Sequence, residues 1–176
     1  MNTDVKTLPS YSPAHRTGPI AWIDTARQVM ARTPDDLIAL IGRFSIAAVF
    51  WKSGQTKVEG LSIDLVDGSL QLGWPRLSDS AVELFREEYR LPLLPPELGA
   101  SLAALAEHAL PVLILLGLGT RFAALGLLVM TAVIQVLVYP GAYPIHGVWA
   151  AVLLYLLARG LGPVSLDHWI AQRLGR

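Results

Sequence analysis

The chain alternates long apolar runs with short polar breaks, and the runs share a length. Residues 98–118 read LGASLAALAEHALPVLILLGL, 21 residues in which Glu107 is the one carboxylate and His108 stands beside it. At about 1.5 Å of rise per residue, some twenty mostly apolar residues cross the hydrocarbon of a bilayer as a helix. Comparable runs recur, so the pattern predicts spans at about 34–53, 97–118, 121–139 and 145–161. The short break Gly119-Thr120-Arg121 forces its flanking spans to run antiparallel, and Pro140 to Pro144 turns the chain again. The predicted fold is an all-α membrane protein, a four-transmembrane-helix antiparallel bundle occupying 34–164.

The polar stretches carry their own patterns. Residues 1–18 are polar and rich in Pro and Ser, which predicts a tail. Ile20, Ile23 and Met30 then recur at helical spacing opposite Arg27 and Arg32, so 1–33 reads as a cytoplasmic tail with an amphipathic helix. That helix suits the membrane surface or the protein's own cytoplasmic face. In the insert 54–96, LSIDLV and SLQLGW alternate around Asp67-Gly68, a hairpin signal. Ser80 with Glu83 then resembles a capping box, with Val82, Phe85 and Tyr89 on one face. The insert is expected to cap one end of the bundle as a hairpin plus an amphipathic helix. Ser165 is expected to cap a last amphipathic helix within 165–176.

Charge orients the spans. The side holding both termini carries Lys6, Arg16, Arg27, Arg32, Arg121, Arg159, Arg173 and Arg176, against five basic residues and eight acids on the other. The positive-inside rule therefore puts both termini in the cytoplasm and the insert outside. A mean hydropathy of +0.47 and a charged fraction of 16% fit a multi-pass membrane chain. The absence of cysteine excludes disulfides and thiol chemistry. Zero net charge gives no sign of nucleic-acid binding. No uninterrupted apolar run of leader length precedes residue 35, so no cleaved leader is expected.

Ionisable residues inside spans are the candidate chemistry, because a charge there is costly without a partner. Arg43, in the first span, is the leading partner for Glu107: counted from the cytoplasmic ends they lie about 10 and 16 Å deep. Such a pair either fixes helix register or serves a ligand or proton path, and both remain open. His108 points about 100° away from Glu107 around the helix. Glu107, His108 and Gln135 have metal-ligand types without a recognised spacing. The unequal depths of His108 and His146 argue against a bridged haem. No phosphate loop, nucleophile elbow or zinc-protease motif is present.

Arg43 is followed by FWKSGQTKVEG with Gly54 and Lys57, and Glu107 by the Gly117–Arg121 turn. EEYRLPLLPPELGA lies between them and GLGPVSLD, Gly160 to Asp167, closes the series. In this order and spacing the motifs resemble the DoxX family of bacterial inner-membrane proteins, over about 36–168. The resemblance implies a four-helix inner-membrane bundle whose polar core is Arg43, Gly54, Lys57, Glu107 and the Ser165–Asp167 turn. It also implies an accessory role in quinone-linked, sulfur-linked or stress-related redox processes, with a quinone as the candidate cofactor. Expected partners are the lipid bilayer and a membrane or periplasmic protein, with room for a homo-oligomer. The competing expectation is a non-catalytic scaffold that docks its partner through the insert.

Overall fold

The computed structural model describes residues 19–64, 68–160, 165–173 and 175. The expected tail over 1–18, Asp67 of the hairpin turn and residues 161–164 of the GLGPVSLD stretch lie outside the described residues. Residues 1–34 and 35–176 form two separate units. The first holds α1 (Pro19–Met30), on which Trp22, Ile23, Val29 and Met30 are exposed. The Thr33 hydroxyl closes it by donating to the Met30 carbonyl at 2.8 Å.

The second unit carries four helices long and apolar enough to cross a membrane: Asp35–Gln55, Pro96–Leu116, Thr120–Val138 and Pro140–Arg159. α2 (Asp35–Gln55) opens with Asp35 and Asp36 in its first turn, where carboxylates meet the positive end of the helix dipole. α4 (Pro96–Leu116) starts on a proline, which gives up an N–H that has no helical partner there. α5 (Thr120–Val133) continues as a π-helical turn, Ile134–Val138. α6 (Tyr143–Arg159) follows a 3₁₀ turn, Pro140–Ala142. This last helix starts earlier than the predicted 145, because Pro144 is tolerated within a first turn.

Small residues let these helices meet closely. Ala47, Ala123 and Ala124 lie in the core with Phe50, Ile114, Leu127, Leu153 and Leu156, the small-residue contact typical of helices packed within a bilayer. Gly117 and Gly119 both adopt left-handed backbone (φ 72° and 57°), which lets the chain reverse between α4 and α5 in three residues.

Asp167 lies in the first turn of α7 (Leu166–Arg173), yet its side chain serves another helix. Its carboxylate accepts the Gly119 and Thr120 N–H groups at 2.8 and 3.1 Å, and its own N–H donates to the Gly117 carbonyl at 2.8 Å. Asp167 thus caps α5 across 47 residues of chain, because that helix starts on a glycine with no side chain to do so.

The insert forms β1 (Val58–Asp64) and β2 (Ser69–Leu77), paired antiparallel with Leu61 opposite Leu72 and Ile63 opposite Leu70. α3 (Asp79–Leu84) is capped by Ser78, whose hydroxyl accepts the Ala81 N–H at 3.2 Å. Ser80 therefore lies inside the helix rather than at its cap. A π-helical turn, Phe85–Tyr89, extends α3 and ends at Arg90 in left-handed backbone (φ 43°). Phe85 packs on Gly99 so closely that an added Cβ there would come within 2.8 Å of its ring.

Only this helical half sits over the beginning of α4. The hairpin turns back along the flank of α2 and α4 instead of capping an end. The Trp51 indole donates to the Ile63 carbonyl at 3.1 Å, and the Gln55 side chain accepts the Ile63 N–H at 2.7 Å.

Candidate functional site

Helix stagger decides which charges meet. Gly54, one residue from the end of α2, lies against Glu107 and His108 in the middle of α4: a Cβ on it would meet the His108 ring at 2.9 Å. Arg43 lies eleven residues before Gly54 on α2, about 16 Å along the axis. That is farther than a guanidinium reaches, so the expected Arg43–Glu107 pair is not formed. Arg43 is buried, with its guanidinium carbon 5.5 Å from the centre of the Phe44 ring.

The partner of Glu107 is Lys57. Just past the end of α2, its ammonium donates to Glu107 Oε2 at 2.7 Å and to the carbonyl and hydroxyl of Ser53 at 3.2 and 3.1 Å. Both side chains of the pair are 4% exposed. Three acceptors occupy the three protons of the ammonium, which is what a buried lysine requires. Pro111 adds a local irregularity, since it lacks the N–H that would bond the Glu107 carbonyl.

His108 faces a second network. Its Nδ1 lies 2.7 Å from the Ala104 carbonyl and its Nε2 lies 2.8 Å from the Gln55 amide nitrogen. A proton on Nδ1 and a lone pair on Nε2 satisfy both contacts. The Trp51 ring packs edge-on against the imidazole at 5.0 Å. Gln135 belongs elsewhere: its Oε1 accepts from His146 Nδ1 at 2.8 Å, and its amide donates to the Pro140 carbonyl at 2.7 Å. The Glu107–His108–Gln135 set weighed from the sequence is therefore not assembled. Among the described residues no group of three or more His, Asp or Glu side chains could hold a metal.

Glu107 also lines a cavity of about 520 Å³ between α4 and α5. Ala106, Leu110, Gly126 and Val133 form its wall, and Phe85 and Tyr89 reach in from the insert. Leu102, Leu105 and Val129 stand exposed at its rim, so it opens sideways on the face that lipid covers.

Two π-helical turns meet beside the cavity. Tyr89 of one packs edge-on against Tyr139, which follows the other, at 5.9 Å between ring centres. The Tyr139 hydroxyl donates to the Glu88 carboxylate. That bond holds the Tyr139 phenol well above its ordinary range, since ionising it would set phenolate against carboxylate. Burial pushes Tyr89 up too, and the Glu107 and Glu88 carboxylates add to the effect. Sequence reading missed Gln55, Ser53, Tyr89, Glu88 and Tyr139. Their one signal was position, Ser53, Gln55 and Tyr139 at the ends of spans and Tyr89 on the apolar face of the insert helix, while the exposed Glu88 gave none.

Four helices long and apolar enough to cross a membrane, with a buried ion pair between the end of α2 and the middle of α4, define an integral, multi-pass membrane protein. The DoxX family model matches residues 38–140, and the chain belongs to the DoxX family. No curated protein and no solved structure matches it.

Proposed function

We propose that this DoxX protein is an inner-membrane subunit that binds a lipid-soluble quinone in the α4–α5 cavity and supports a redox or stress-linked process. Its termini are cytoplasmic in this reading, following the charge asymmetry of the connections, and its insert is outside. The observation that carries the proposal is an apolar cavity, open toward lipid, whose wall holds the carboxylate of a buried ion pair. A pocket of this kind suits a ligand that is mostly apolar with one or two polar atoms.

The residues fit such a group. Phe85, Leu110 and Val133 would pack its ring and tail, while Glu107, held by Lys57, supplies the polar group of the wall. A bound quinone supplies a carrier of two electrons and two protons. Glu107 is the group placed to hold a proton at the cavity wall, and Lys57 holds that carboxylate in position.

Lipid extracts of the purified protein, analysed by mass spectrometry, test this. Stoichiometric quinone in the parent protein, lost in a folded Glu107→Gln variant, is the expected result. Phospholipid alone in the parent would overturn it.

A scaffold role is the second reading. It draws on Glu83, Arg86, Glu87 and Arg90, which stand exposed on the insert. Deleting the insert cannot separate the two readings, because Lys57, Phe85 and Tyr89 come from it. Reversing the charge of Glu87 and Arg90 can: partner cross-linking then fails while quinone is retained.

A further inference from the structure

We infer that the β1–β2 hairpin is a membrane-contacting element whose apolar face lies against the outer boundary of the bilayer beside α2. This inference is independent of what the cavity binds.

The hairpin has two chemically different faces. Leu61 and Leu72 pair across the strands, as do Ile63 and Leu70, which puts all four side chains on one side. Ser62 and Gln71 pair on the other. Against the bundle, β1 is anchored and Leu61 and Ile63 are half-buried. β2 overhangs: Leu70 is 66% exposed, Leu72 74%, and Trp74 in the irregular stretch beyond them 87%. A two-stranded hairpin is marginal in water alone, and this one leaves Leu70, Leu72 and Trp74 of β2 uncovered.

Lipid is the occupant favoured by what surrounds it. Leu61 lines a cleft with Leu105, Ala109 and Val112 of α4, and Ile63 lines another with Phe44 and Trp51 of α2. Those helices span the membrane, so the apolar face of the hairpin continues a surface already in contact with lipid. Lys52 and Arg76, both exposed, stand beside it, and cations there match the phosphates of the headgroup layer. Trp51 and Trp74 are the residue type enriched at that level. The open strand edges favour the headgroup boundary over the hydrocarbon, where unpaired N–H and C=O groups find no partner.

The natural chain has no cysteine, so single labels report cleanly. Spin labels at Leu72→Cys and Gln71→Cys would be compared in phosphatidylethanolamine–phosphatidylglycerol liposomes. Val148→Cys on α6 gives the lipid reference and Glu87→Cys the aqueous one. Expected is a Leu72 label relaxed mainly by oxygen, like Val148, and a Gln71 label relaxed several-fold more by a water-soluble nickel chelate. A Leu72 label that reads as aqueous overturns the inference. So does one shielded from both reagents, which would mean a protein covers the face, and so do identical readings at the two positions. If Leu72→Cys does not elute as a folded species, Leu70→Cys on the same face carries the comparison.

Discussion

Lys57 and Glu107 form a 2.7 Å ion pair with both side chains 4% exposed, one just past the end of α2 and the other in the middle of α4. Removing one member of such a pair leaves an uncompensated buried charge, which costs about 3–5 kcal/mol, whereas replacing both with apolar residues is often neutral. Lys57→Met should therefore lower the detergent melting temperature sharply, and Lys57→Met/Glu107→Leu should restore most of it. Equal melting temperatures for the single and double variants would show that the two residues are not coupled. The double variant also separates fold from function, since it should fold and yet lose any ligand that needs the charges.

Gly54 makes that approach of helices achievable. A Cβ there would sit 2.9 Å from the His108 ring, which is held by Ala104, Gln55 and Trp51 and cannot move aside at low cost. Gly54→Ala should destabilise by about 1–3 kcal/mol, the usual range for overpacking. Gly141→Ala, where an added Cβ meets nothing within 4 Å, is the control and should change little. Thermal unfolding of the two variants side by side decides it.

How much of this was legible beforehand depended on whether a feature was local or tertiary. Apolar run length set the four helices to within a few residues, because span length answers to bilayer thickness and little else. The hairpin strands were visible from alternation. The stagger of α2 against α4 was not, since it is set by where Gly54, Ala47 and Phe50 pack, and that stagger is what gives Glu107 to Lys57 rather than Arg43. Asp167 shows the same limit: its pattern fits a helix cap, and only the folded chain reveals which helix it caps.

Asp167 supplies the next test. Its two oxygens take the first N–H groups of α5, so Asp167→Ala should cost about 0.5–2 kcal/mol, the range for a lost N-cap. Asp167→Asn, which keeps one acceptor oxygen, should lose less. Hydrogen exchange at Gly119 and Thr120 should speed up in both variants; unchanged exchange would mean the cap is dispensable.

The Tyr139–Glu88 bond makes a prediction about pH. A phenol held above its ordinary value of 10.0 stabilises the fold fully below that value. The contribution is lost only as pH rises through the higher folded value. The contact between the insert and the end of α5 should therefore be intact throughout the neutral range and up to about pH 10. Ultraviolet titration should show one tyrosine that resists ionisation beyond the others, and Glu88→Gln should bring it back toward the rest. A parent protein in which all tyrosines titrate together would remove the bond from consideration.

Cavity shape can be tested without touching its charge. Val133 lines the α5 side of the cavity and is half-buried, so a larger side chain there extends into empty space more than into packed neighbours. Val133→Trp should therefore keep the Lys57–Glu107 pair, and its melting temperature should stay near that of the parent. If an apolar ligand occupies the cavity, that variant should carry much less of it after purification, while Val148→Trp on the outer face of α6 should carry as much as the parent. Glu107→Gln tests the polar contact and Val133→Trp tests the volume, so loss of ligand in both puts the molecule in this cavity. Loss in Glu107→Gln with full retention in Val133→Trp would instead move the ligand to the clefts between the hairpin and α4, on the other side of the ion pair.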